Sequence, residues 1–169
     1  MMRCALALSA TLGLWAAGCA CTEVGCADGF AVTVTVDATM VPAGTHTLNV
    51  TADGTPVSCT FTFPPPGARF GTIVSANCPK GLSLSFALAQ TCMIVQTGTG
   101  SANECQAVAG EFEEYVLLPG TPSSVRLQQS ADGNVLLDQT LTPTYKIDQP
   151  NGASCGPTCY EASAELTIP

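Results

Sequence analysis

The sequence predicts an all-β domain, built as a disulfide-stapled β-sandwich. Three observations predict it. Apolar residues recur at every second position through most of the chain, the period of a strand with one buried face. Turn residues break these runs at short intervals, with 16 Gly and 12 Pro in 169 residues, as hairpins require. Ten cysteines supply cross-links, and no segment after the leading apolar run has the period of a helix.

That leading run comes first in order. Arg3 precedes apolar residues 4–17, followed by Gly18 and Cys19. A cation, a short apolar stretch and then small residues make the pattern of an export signal. The stretch is shorter than the roughly 20 apolar residues of a membrane span. Leu14-Trp15-Ala16-Ala17-Gly18-Cys19 reads as a bacterial lipobox, where small residues precede a cysteine that takes diacylglycerol. Ala16 departs from the leucine usual at its position. Ala16 and Gly18 also satisfy the small-x-small rule of an ordinary signal peptidase. The expected division is a signal peptide over 1–18, the lipid-attachment Cys19 and a tether over 19–29, and the β-domain over 30–169.

The strands follow. Residues 30–37 put Phe30, Val32, Val34 and Val36 on one face, with Thr33, Thr35 and Asp37 opposite. Residues 45–52 alternate likewise, turning Leu48, Val50 and Ala52 inward. Asp53-Gly54 supplies a two-residue turn, since both of its positions need φ > 0. The return strand, 55–63, faces Val57, Cys59, Phe61 and Phe63 inward. It stops at the three prolines 64–66, which cannot donate to a ladder. Another strand is expected over 69–76. Leu82, Leu84, Phe86 and Leu88 mark the next, which continues over 93–96 after a bend at Cys92. Residues 97–103, rich in Gly, Ser and Thr, read as a loop. One or two strands lie between Cys105 and Leu118.

The hairpin of 124–131 with 134–142 turns on Asp132-Gly133. A two-residue turn sets Val125 against Thr140, Leu127 against Asp138 and Gln129 against Leu136. Residues 143–158 read as loop. The last strand, 160–168, faces Tyr160, Ala162, Ala164, Leu166 and Ile168 inward. Eight or nine short strands joined by hairpins predict an immunoglobulin-like sandwich, with a closed β-barrel as the alternative.

Under the lipobox reading Cys4 leaves with the signal and Cys19 takes the lipid. The candidates for disulfides are Cys21, Cys26, Cys59, Cys78, Cys92, Cys105, Cys155 and Cys159. An even set in an exported chain implies an oxidising compartment. Proximity suggests Cys155 with Cys159, Cys21 with Cys26, and Cys92 with Cys105, which leaves Cys59 with Cys78, although spacing alone does not determine connectivity. Zinc is disfavoured, because the chain has no CxxC pair and only one histidine, His46. Cys155-Gly-Pro-Thr-Cys159 has one residue too many for a thioredoxin-type centre and no strand-helix context.

The chain carries five Lys and Arg against 13 Asp and Glu, for a net charge of −8. Loss of Arg3 makes the mature chain one unit more acidic. Such a surface excludes the phosphate neutralisation on which nucleic-acid binding depends.

Val125 to Ile168 carries a resemblance. Its marks are Asp132-Gly133, Leu137-Asp138, Thr142-Pro143-Thr144-Tyr145, Pro150-Asn151-Gly152 and Cys155-Gly156-Pro157-Thr158-Cys159, followed by the closing strand. The segment resembles the C-terminal part of uncharacterised myxobacterial lipoproteins with small β-rich ectodomains. These marks cover about a quarter of the chain, plus the signal. The motifs are structural and the family has no assigned activity, so the resemblance implies fold and location only.

No nucleophile elbow, P-loop, dinucleotide-binding glycine pattern, HExxH or EF-hand loop is present. No catalytic residue, metal site or cofactor is therefore expected. His46 reads as an ordinary surface or hairpin residue. Glu111, Glu113 and Glu114 form the densest acidic cluster. On a strand, Glu111 and Glu113 share a face, with Phe112 and Glu114 on the other. Two carboxylates on one face could hold Ca²⁺ or act as an acid and base, but a solvated strand is the commoner outcome.

The expectation is a non-catalytic binding or structural module of the cell envelope. Cys19 would anchor it by lipid to the membrane. Ala20 after that cysteine permits outer-membrane delivery, and the partner would be an envelope protein or polysaccharide. The alternatives are a freely secreted β-domain, a hydrolase, or a Ca²⁺-dependent adhesion module using Glu111 and Glu113.

Overall fold

The computed structural model describes residues 24–63, 74–97 and 100–168. The signal over 1–18, Cys19, Cys21 and the three prolines 64–66 lie outside the described residues. So does the first half of the strand expected over 69–76.

Among the described residues ten strands form two sheets. They are β1 (Gly29–Asp37), β2 (Gly44–Ala52), β3 (Thr55–Phe63), β4 (Val74–Asn77), β5 (Ser83–Thr97), β6 (Gly100–Pro119), β7 (Val125–Ala131), β8 (Asn134–Leu141), β9 (Lys146–Asp148) and β10 (Cys159–Ile168). One 3-10 turn, Pro79–Gly81, precedes β5. The larger sheet has the order β4-β5-β6-β1-β10-β9, and the smaller β3-β2-β7-β8. The fold is all-β, and among the described residues the strands form two separate open sheets in place of the alternative barrel.

Alternation decides which side chains meet between the sheets. Phe30, Val32, Val34 and Val36 of β1 are buried, as are Leu84 and Phe86 of β5 and Phe112, Val116 and Leu118 of β6. They meet Leu48 and Val50 of β2, Phe61 and Phe63 of β3, and Val125 and Leu127 of β7 in one core. Burial of this apolar area is the principal stabilising contribution. β1 pairs in parallel with β10 and antiparallel with β6. It therefore lies in the interior of its sheet and is buried on its inward face throughout.

Both Asp-Gly turns form as two-residue connections. Asp53 has φ 46° and Gly54 φ 79°, and Asp132 and Gly133 have φ 49° and 79°, the left-handed region that glycine enters without steric cost. Asp53 also crosses to the segment before β7. Its Oδ1 accepts bonds from Ser123 Oγ at 2.7 Å and from the Ser123 and Ser124 amides at 3.0 Å each.

The second hairpin departs from the expected register. A bulge between Gln129 and Ser130 admits one extra residue, so Gln129 faces Leu137 and Leu127 faces Gln139. The reason lies in Asp138. Without the bulge, Asp138 would oppose Leu127 and turn its carboxylate toward the core. With it, Asp138 lies opposite Gln128 and accepts bonds from Arg126 at 2.8 and 2.6 Å. Leu137 enters the core instead.

Other expectations are corrected in the same region of physics. The irregularity in β5 falls between Leu88 and Gln90, and Cys92 sits in a regular ladder opposite Cys105. Residues 100–103, expected as loop, are strand: β5 and β6 continue as a two-stranded ribbon to the pair Thr97 and Gly100. Composition suggested a loop because neither strand there has a buried face; residues 91–96 and 100–107 are all exposed. β9 was also expected as loop. Its three residues are too short for a period and gain their strand from pairing with β10. Tyr160, expected inward, is 43% exposed, because it lies at the strand end.

Candidate functional site

The acidic cluster divides as its alternation requires. Glu111 and Glu113 face out from β6 and Glu114 faces in, beside Phe112. Glu111 pairs with Asp37 of β1, and Glu113 accepts a hydrogen bond from the Tyr115 hydroxyl. No group of three or more His, Cys, Asp or Glu side chains placed to hold a metal occurs among the described residues. Neither Glu111 nor Glu113 lines the clefts outlined among the described residues at the sites that follow. One of about 390 Å³ lies around Gly29, Ala31, Leu117, Lys146 and Glu161. One of about 430 Å³ lies between Pro143, Tyr145 and Tyr160. The third, about 160 Å³, is an apolar slot at the sandwich end between Val50, Val57, Leu82 and Leu118.

Glu114 instead joins a buried polar cluster that the sequence reading missed. His46, Gln129 and Glu114 are each 0% exposed, and they come from β2, β7 and β6, so the cluster links the two sheets. The hydrogen bonds define its chemistry. His46 Nε2 lies 2.7 Å from the Pro42 carbonyl, which can only accept, so Nε2 carries the proton. Nδ1 is then an acceptor and meets Gln129 Nε2 at 3.3 Å. The second hydrogen of that amide donates to Glu114 Oε1 at 3.0 Å. The imidazole stacks on Phe63, with centroids 5.1 Å apart.

Two acceptors in this cluster have no partner, Glu114 Oε2 and Gln129 Oε1. Both sit on the two groups already joined through Gln129 Nε2. Burial raises the Glu114 pKa to about 7, with the bond from Gln129 opposing the rise. A protonated carboxyl has a hydroxyl to donate, and the amide oxygen is the acceptor it lacks. A closed core surrounds the cluster, since Val34 and Phe86 flank Glu114 across the ladders. His46 is therefore a core residue and not the surface residue expected. Its signal was available. His46, Glu114 and Gln129 are the polar residues standing at inward positions of three otherwise apolar alternations.

The cysteines form a second constellation. Cys92 joins Cys105, as proximity suggested, and Cys59 joins Cys78, the pair left over by that reasoning. The other two suggestions are overturned, because Cys26 joins Cys159 across 133 residues. Cys155 is disulfide-bonded too, but not to Cys159. Proximity failed here because β1 runs parallel to β10, and a parallel pair brings the approach to one strand beside the approach to the other.

That disulfide belongs to a larger clamp. The Val24 amide donates to Asn151 Oδ1 at 3.1 Å. Asn151 Nδ2 donates to the Val24 and Gly156 carbonyls, each at 2.8 Å. The Tyr160 amide donates to Asp28 Oδ1 at 2.8 Å. From Val24 onward the segment expected as tether is thus pinned to the domain, and Gly29 already belongs to β1. No family model, curated protein or solved structure matches this chain.

Proposed function

We propose that the chain is an exported lipoprotein of the cell envelope, a non-catalytic binding or structural module held at the membrane by lipid on Cys19. The observation that carries this reading is the Cys26–Cys159 disulfide, seven residues beyond Cys19. It is a long-range bond, accompanied among the described residues by Cys59–Cys78 and Cys92–Cys105 and by a further bond at Cys155, and such a set persists in oxidising compartments. An apolar leader ending in a lipobox supplies both the route to that compartment and the anchor. The resemblance to myxobacterial lipoproteins supports the same location.

The module reading has its own support. The buried cluster of His46, Gln129 and Glu114 is closed to any substrate. Glu111 and Glu113 stand on an outward face and line none of the outlined clefts. A cross-linked sandwich suits holding an envelope protein or a surface polysaccharide in place.

Detergent phase separation tests the reading. The chain is expressed with its own leader in a bacterial envelope, beside Cys19→Ser. The wild type is expected in the detergent phase and the variant in the aqueous phase. Wild-type protein found in the aqueous phase would mean a freely secreted domain.

A further inference from the structure

The clamp fixes where the proposed anchor meets the domain. Five peptide steps separate Cys19 from Val24, and fully extended they span about 18 Å. A lipid on Cys19 cannot stand farther than that from the residue pinned to Asn151. We propose that the clamp end of the sandwich rests against the bilayer surface, with Ile147 and Tyr160 at headgroup level. This inference rests on the reading that Cys19 carries the lipid.

The side chains at that end suit the contact. Val24 is 50% exposed, Ile147 63% and Tyr160 43%. Ile147 and Tyr160 are cross-strand partners of β9 and β10, and Tyr160 follows the disulfide-bonded Cys159 that holds the segment containing Val24. Tyrosine has an apolar body and a polar tip, which is why it collects at membrane interfaces. The neighbouring charges are mixed: Lys146 stands opposite Glu161 in the ladder, and Asp148 opposite Cys159. Electrostatic attraction to anionic lipid does not drive such a contact. The short tether brings the surface to the bilayer, and apolar burial favours it there.

The topology gives the opposite end an opposite role. In β6, Pro119 pairs with Gly29 at the clamp end and Glu111 pairs with Asp37 at the other. The ribbon of residues 90–97 and 100–107 leaves the sandwich beyond Glu111. Its stapling disulfide, Cys92–Cys105, and its exposed Ile94, at 71%, therefore belong to the end away from the membrane.

Single-tryptophan reporters test this. The one tryptophan, Trp15, lies in the signal, so the processed protein has no tryptophan emission of its own when excited above the tyrosine band. Tyr160→Trp and Ile94→Trp, expressed with their own leader and purified from the envelope, are reconstituted into phosphatidylcholine vesicles with brominated or ordinary acyl chains. Both positions are exposed, and vesicle flotation reads attachment separately. The expected result is flotation of both variants, a loss of emission from Tyr160→Trp in brominated relative to ordinary vesicles, and unchanged emission from Ile94→Trp. Flotation with Tyr160→Trp unquenched, or with Ile94→Trp quenched more strongly, overturns the orientation and leaves the anchor standing. Failure of both variants to float overturns the anchor, and the orientation with it.

Discussion

Replacing Glu114 with glutamine is expected to stabilise the protein above neutrality and to leave it nearly unchanged in acid. Glu114 titrates near 4.5 when solvated and about 7 when folded. Below 4.5 the carboxyl is protonated in both states and its burial is tolerated. Between 4.5 and 7 the unfolded chain loses the proton while the native protein keeps it. Stability then falls by about 1.4 kcal/mol per pH unit, because the native state binds more protons. Above 7 both states are ionised and the accumulated loss is constant, about 3 kcal/mol. Glutamine removes the titration and retains an oxygen to accept from Gln129 Nε2. Its own amide can donate to the unpartnered Gln129 Oε1. Urea unfolding of the oxidised proteins between pH 4 and 8.5 measures the difference, and titrations common to both cancel. The gap in favour of Glu114→Gln should open between pH 4.5 and 7 and then level. A difference that is flat with pH, or a variant less stable at pH 8.5, would refute the reasoning.

Three further outcomes follow from the same structure. Cys26→Ser with Cys159→Ser releases a loop of 133 residues and should cost about 5 kcal/mol by the loop-closure relation, read as a fall in the denaturation midpoint. Cys92→Ser with Cys105→Ser cuts the staple of a ribbon that buries little, so the sandwich should melt almost unchanged while amides over residues 90–107 exchange faster; a large drop in midpoint would contradict the view of the ribbon as separate from the core. Leu127→Ala opens a cavity where β7 meets the larger sheet, and should cost about 2–5 kcal/mol in equilibrium unfolding.

Much of the fold was legible because alternation is a local signal. β1, β2, β3 and the inward residues of β5 follow from period and turn chemistry alone, and Asp53-Gly54 sets the register of its hairpin without help. What escaped depends on distant parts of the chain. β9 exists only as an edge to β10. The bulge at Gln129 answers a conflict between turn register and the burial of Asp138, and the apolar pattern of β8 shows it only once β7 is placed opposite. The Cys26–Cys159 bond needs a parallel pairing of β1 with β10, which no short window can show.

The candidate site divides the same way. Glu114 could be assigned inward from its neighbours Phe112 and Val116, and His46 from Leu48 and Val50. Their meeting through Gln129 required knowing which faces of the two sheets oppose.

A peptide map of the non-reduced protein taken from its native membrane fraction reads the anchor and the cross-links together. The expected map has a first residue, Cys19, bearing acyl chains, with Cys26 linked to Cys159, Cys59 to Cys78 and Cys92 to Cys105. An unmodified or disulfide-bonded Cys19, or a link between Cys155 and Cys159, would contradict it.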